Sequence, residues 1–169
     1  NKIWNAFRLI KGWDIQDINQ EQASSDAINW FENKLNQTIE DINNSYDKYR
    51  ISEALMTTYK LIWDDFCSIY LEIIKPDYQK PIDTKTYNQT IIFLEDVLKL
   101  LHPFMPFLTE EIWHSIEDRN NDIIVANWPE AKSFNKQLIS DFERTMEVVS
   151  GIRNIRKEKN IVKKESVEL

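Results

Sequence analysis

Glycine is almost missing from this chain: only Gly12 and Gly151 occur in 169 residues. That scarcity argues against tight hairpins, and neither G-x-G-x-x-G nor G-x-x-x-x-G-K-[ST] is present, so a dinucleotide turn and a phosphate loop are excluded. A single cysteine, Cys67, rules out a disulfide framework and a Cys-rich zinc site, and fits a reducing compartment. No apolar run approaches the roughly 20 residues a membrane helix needs, and the N-terminus has no signal-peptide core. These absences point to a soluble, cytoplasmic chain with no membrane contact.

What is present suits one helical domain. Apolar residues make up 42% and aromatic residues 12% of the chain, enough for a sizeable core. The formal net charge of -7 does not announce a nucleic-acid binder. Its distribution is more informative. Residues 1–12 carry Lys2, Arg8 and Lys11 without an acid, and residues 151–164 carry six cations against Glu158. Positive ends on an acidic middle could hold a phosphate backbone, although ordinary solvated helix faces would read the same way.

Spacing of apolar residues by three and four predicts the helices. The first holds Ile3, Phe7 and Ile10 and ends at Gly12. The second is capped by Ser24, Ser25 or Asp26 and runs to Tyr49 along Ile28, Phe31, Leu35, Ile39, Ile42 and Tyr46. A third starts at Ser52 and buries Leu55, Tyr59, Ile62, Phe66, Ile69 and Ile73 before Pro76 stops it. A fourth, capped by Asp83 or Thr84, carries Tyr87, Ile91, Leu94, Leu98 and Leu101. A fifth spans about 135–159 with Leu138, Phe142, Val149, Ile152 and Ile155 inward. Residues 13–23, 76–83 and 117–122 read as loops, Ile123–Val125 as an extended piece, and 166–169 as the start of a strand. Together they predict an all-α antiparallel bundle of four to five long helices over 1–160, with 161–169 opening a truncated C-terminal subdomain. Both chain ends read as cuts inside a longer protein.

The organising stretch is Leu100-Leu101-His102-Pro103-Phe104-Met105-Pro106-Phe107-Leu108-Thr109-Glu110-Glu111-Ile112-Trp113. Two prolines three apart predict an extended corner, Thr109 the cap of a short helix, and the apolar residues a plug buried at the end of the bundle.

A search for catalytic chemistry finds none. His102 and His114 stand in no metal-ligand spacing, and His102 reads as a corner residue satisfying a backbone group. Cys67 has no basic sequence neighbour to lower its pKa, Asp64 and Asp65 diverge on a helix, and Ser133 and Ser150 lack a nucleophile elbow. The interleaving of Trp4 with Lys2, Asn5 and Arg8, and of Trp30 with Asn29, Asn33 and Lys34, suits single-stranded RNA, where rings stack bases and amides bond their edges. Core packing of both tryptophans is the plainer alternative.

The proline corner closely resembles the end of the helical anticodon-binding domain of class I aminoacyl-tRNA synthetases of the valine, isoleucine and leucine group. Asn1-Lys2-Ile3-Trp4-Asn5-Ala6 and Ile152-Arg153-Asn154-Ile155-Arg156 narrow the resemblance to the valyl-tRNA synthetase family. The stretch Trp63-Asp64-Asp65-Phe66-Cys67 with Tyr70-Leu71-Glu72 is similar to a W-x-x-F-C-x-x-Y-L-E run of that family.

The resemblance implies a tRNA-binding segment that is not itself catalytic, because the HIGH and KMSKS signatures and the editing insertion are absent. It implies a parent that joins valine to its tRNA with ATP and Mg2+, no cofactor or metal in this segment, and tRNA plus the parent's catalytic and editing domains as partners. Lys2, Arg8, Arg153 and Arg156 would contact loop phosphates, Trp30 would stack a splayed base, and Asn5, Asn29 or Asn33 would bond base edges, with Lys34 beside them. Asn29 and Lys34 stand where the family more often has arginine. The rival expectations are a protein–protein adaptor bundle, or the same domain of an isoleucyl- or leucyl-tRNA synthetase.

Overall fold

The computed structural model describes residues 2–159. They divide into two compact units, one through Phe134 and one from Asn135. The boundary expected at 160 and the strand expected at 166–169 lie outside the described residues.

The first unit is a helical bundle. Helix α1 (Lys2–Lys11) leads to a two-residue strand β1 (Ile15–Gln16), and α2 (Gln22–Asp47) follows. A second long rod comprises α3 (Ile51–Lys60), a π-helical segment (Leu61–Tyr70) and α4 (Leu71–Ile74). Strand β2 (Ile82–Asp83), α5 (Thr84–Leu101), α6 (Pro106–Ile116) and a 3-10 turn (Ile123–Val125) complete it. The all-α reading holds. The small exception is a parallel β1–β2 pair, Ile15 opposite Ile82 and Gln16 opposite Asp83, within segments expected to be loops.

Four aromatic rings form the centre. Phe31 of α2 stacks on Tyr70 with ring centroids 4.9 Å apart and meets Phe66 at 5.4 Å and Phe93 of α5 at 5.0 Å. Offset and edge contacts of this kind add to the burial of the rings. The Thr90 hydroxyl donates to the Thr86 carbonyl at 2.7 Å, so it accepts from the Tyr70 hydroxyl 2.8 Å away. A buried phenol is thereby satisfied.

The π segment corrects the expected third helix. Ile62, Phe66, Tyr70 and Ile74 form a buried row spaced by four, with Leu61 and Leu71 buried beside it, whereas the stripe read from the sequence passed through the half-buried Ile69 and Ile73. The wider π turn keeps every fourth residue on one face, where an α-helix would let it drift. Earlier in the same rod, α3 turns Ala54 and Thr58 inward and leaves Leu55 and Tyr59 exposed. Small inward residues let α2 approach closely, which is why the large ones face out.

Several ends also differ. Helix α2 begins at Gln22 after Glu21 rather than at the serine cluster, and α3 at Ile51 rather than after Ser52. Asp83 does cap α5, accepting from the Thr86 N–H at 2.8 Å. Tyr49, expected on the core stripe, is 90% exposed and takes φ 56° as the residue that terminates α2. Ile123–Val125 coil into the 3-10 turn instead of extending.

The proline corner is tighter than expected. His102 keeps helical angles, and the Phe104 and Met105 N–H groups both return to the Leu101 carbonyl. Pro106 becomes the first residue of α6, a position that needs no N–H donor. Thr109 is therefore inside the helix, donating to Met105 and Pro106 carbonyls at 3.0 and 3.1 Å. With that hydroxyl spent as a donor, the His102 Nδ1–H donates to it at 2.7 Å. Nor is the corner a buried plug, since Phe107 is 91% exposed.

The second unit is α7 (Lys136–Glu158), capped by the Asn135 side chain, which accepts from Gln137 and Leu138 N–H groups. Its expected inward stripe is not a buried one: Ile155 is 58% exposed and Leu138, Phe142, Val149 and Ile152 are half-buried. Among the described residues of this helix only Ile139 is buried.

Candidate nucleic-acid interface

Helix α1 carries Lys2, Asn5, Arg8 and Lys11 at intervals of three, a row that winds half-way round the helix, with Asn5 and Arg8 next to each other on it. Their fates differ. The Lys2 ammonium donates to the Trp63 carbonyl and to the Ser68 hydroxyl, each at 2.8 Å, and lies 5.5 Å from the Trp63 ring centroid. Lys11 donates to the Ile116 carbonyl at 3.0 Å, tying α1 to the end of α6. Asn5 and Arg8 remain exposed, and among the described residues Arg8 enters no ion pair or hydrogen bond. Two cations of the row hold the bundle together, and one is free to meet an anion.

On α2, Asn29 is exposed and Asn33 is half-buried, its amide donating to the Asn29 carbonyl at 2.8 Å and to the Asn29 side-chain oxygen at 3.3 Å. Lys34 beside them is half-buried and already has an interaction partner. Trp30 corrects the expectation that it stacks a base. It is 0% exposed, 6.0 Å from the Phe31 ring in an edge arrangement. A ring with no free face cannot receive one.

The structure brings Asn29 and Asn33 together, and separately Asn5 and Arg8. Helix α1 packs on the π segment and α6, while α2 packs on α3, α4, α5 and the π segment, so the two groups stand on different helices that share the π segment as a neighbour. Arg153 is exposed and Arg156 half-buried with an interaction partner, both on α7 in the second unit.

Two clusters carry no signal in the sequence. Arg119 lies 4.0 Å over the Trp113 ring and pairs with Glu95 and Glu117, while the Trp113 N–H donates to the Asn121 carbonyl at 3.1 Å. His114 Nε2 lies 3.1 Å from a Glu110 oxygen and 3.2 Å from an Asp122 oxygen, and these three ligand atoms fall within 4.8 Å of one another. Glu110 and His114 are one turn apart on α6, but Asp122 arrives from the following loop, which no spacing rule foretells. Cys67 is half-buried, and its thiol is pushed up to about 11 by that burial; Lys2 opposes the rise. The basic neighbour missing in sequence is present in space, but desolvation dominates. No helix among the described residues is long and apolar enough to cross a membrane.

The family described as the anticodon-binding domain of tRNA ligase matches residues 29–169. Valine–tRNA ligase of Christiangramia forsetii is 52% identical over 171 residues, which is 99% of this chain and 20% of that protein. Valine–tRNA ligase of Parabacteroides distasonis is 49% identical over 172 residues, and that of Bacillus licheniformis 38% over 178 residues, each over 100% of this chain and 20% of theirs. The chain thus spans about a fifth of the length of these relatives.

Proposed function

The chain belongs to the family of anticodon-binding domains of tRNA ligases, and from that premise we propose that it is the anticodon-loop recognition domain of a valine–tRNA ligase. The observation that carries the reading is the identity of 49–52% to valine–tRNA ligases across essentially the whole chain. The parent enzyme attaches valine to its tRNA in the cytoplasm, using ATP and Mg2+ in domains outside this segment. This segment contributes binding rather than a chemical step.

Recognition starts from the exposed pair on α1. Arg8 contacts a loop phosphate, which positions the RNA without reading its sequence. Asn5, one turn away, and the Asn29–Asn33 pair offer amides to base edges, the contacts that read unstacked bases. Lys34, Arg153 and Arg156 add positive charge. Lys2 supports the site through the fold, its ammonium being held on Trp63.

The test is binding of the full-length enzyme to valine tRNA and to the same tRNA with its anticodon replaced, at low and physiological salt. Preference for the authentic anticodon, weaker binding at higher salt, and a salt slope reduced by about one on Arg8→Ala are expected. Equal affinity for both tRNAs would overturn the assignment of this domain as the reader of the anticodon.

A further inference from the structure

The first unit leaves uncovered an apolar face that the tRNA reading does not use. A groove of about 420 Å³ is lined by ten residues, among them Ile3, Leu55, Tyr59, Trp63, Met105 and Leu108, and none of the ten is charged. A second groove, lined by Ile124 and Trp128, adjoins it, and Pro103 of the corner belongs to both. Phe107 stands next to Leu108 with 91% of its surface exposed, and Met56 is also exposed on α3. The Tyr59 and Trp63 rings stack at 4.8 Å and 14°, presenting a flat wall. Contiguous exposed apolar surface on this scale marks a binding face.

Its chemistry selects the occupant. A nucleic acid would need cations for its phosphates. The lining of the first groove has none; Lys99 of the second is held 2.9 Å from the Asp96 carboxylate, and the Lys2 ammonium beside Trp63 is folded onto the Trp63 carbonyl. An apolar polypeptide surface fits instead. The chain spans about a fifth of the length of its relatives, so four-fifths of such a protein lies outside it. We propose that this face docks the remaining body of the same tRNA ligase polypeptide, with the Tyr59–Trp63 wall and the Met105–Phe107 corner at the centre of the contact. The inference rests on the reading of the chain as one domain of a longer ligase.

The corner shape follows from this role. Pro103 and Pro106 fix a tight turn that leaves Met105 42% and Phe107 91% exposed, so folding of this unit gains little from the Phe107 ring. Rigid aromatic and methionine side chains around an uncharged centre are the composition of interface cores.

Hydroxyl-radical footprinting of the full-length ligase, without tRNA, tests the proposal. Met105, Phe107 and Tyr59 should be oxidised on the order of tenfold more slowly in the native enzyme than after unfolding, because an interface core is desolvated. Tyr78, 92% exposed in the 75–80 loop, is the control and should show little protection. Protection of Met105 and Phe107 no greater than that of Tyr78 would overturn the proposal. So would protection that appears only as protein concentration rises, which would assign the face to a second copy, or only after tRNA is added, which would assign it to RNA. Because tRNA is absent from the first measurement, failure of anticodon recognition and failure of docking are separate results.

Discussion

The Lys2 ammonium of α1 and the carbonyl of Trp63 in the π segment lie 2.8 Å apart, although 61 residues separate them in sequence. The same carbonyl accepts from the Ser68 hydroxyl at 2.7 Å. A cation, a hydroxyl and a ring thus converge on the widest part of the central rod. Lys2→Met keeps the apolar stem over the Trp63 ring and deletes the ammonium. Loss of about 1 kcal/mol of stability is expected, the size of one hydrogen bond between partly exposed groups, read from urea unfolding. Its effect on tRNA affinity should be smaller than that of Arg8→Ala, since the Lys2 charge is already engaged.

Trp30 makes the opposite case, a residue whose sequence setting suggested RNA and whose position assigns it to the core. Trp30→Ala should cost about 3–5 kcal/mol, a large share of the total stability of a domain, and so abolish binding for a trivial reason. Trp30→Phe separates fold from function. It keeps an aromatic body beside Phe31, and tRNA affinity should stay unchanged. A large fall in affinity with the circular dichroism melt preserved would restore Trp30 to the interface.

How far the sequence could be read follows from what each residue depends on. Phe31, Leu35, Ile39 and Ile42 were legible because an α-helix has a fixed period and one face of α2 is buried. Asp83 was legible as a cap because its carboxylate meets the Thr86 N–H three residues on. Leu55 and Tyr59 were misplaced because periodicity finds apolar stripes without saying which of two adjacent stripes faces in; Ala54 and Thr58, small enough for close approach to α2, decided it. The π segment was hidden for a related reason, since spacing by four is common to both kinds of helix. At the candidate site, Asn5, Arg8 and Asn29 are exposed, as a contact with RNA requires, and Trp30 is not. The uses of Lys2 and Lys11 depend on carbonyls 61 and 105 residues away, which no local pattern encodes.

Tyr49 supplies a stability prediction from backbone alone. It ends α2 with φ 56°, and around it the Tyr49 N–H bonds the Tyr46 carbonyl while the Arg50 N–H bonds the Ser45 carbonyl. This left-handed closure of a helix suits glycine, which carries no Cβ to clash. The tyrosine ring is 90% exposed and contributes little burial in this unit. Tyr49→Gly should therefore stabilise the domain by up to about 1 kcal/mol, seen as a higher urea midpoint with an unchanged slope. Tyr49→Val, branched at Cβ, should destabilise it. If glycine instead lowers the midpoint, the exposed ring makes a contact that outweighs its strained backbone.

Alkaline pH should loosen the domain, and Cys67 sets where this begins. Its thiol is pushed from the ordinary 9.0 to about 11, first by burial, with Lys2 working against the rise. The folded state therefore favours the protonated thiol. Stability is intact below the unfolded value, near 9, and is lost as pH climbs through the folded value near 11. Burial pushes the Tyr70 phenol upward as well, against the effect of its bond to Thr90, so its loss begins above the ordinary 10.0 and adds to that of Cys67. Urea midpoints taken from neutrality to about pH 10.5 should be level at first and then fall, and Cys67→Ala should flatten the first part of the decline. The same shift makes the thiol a poor nucleophile, so its alkylation by iodoacetamide near pH 8 should be slower than that of a free thiol. Lys2→Met removes the one charge that favours the thiolate, and should slow it further. Alkylation as fast as a free thiol, or a midpoint that does not fall above about pH 9, would show that Cys67 is not held in its desolvated position.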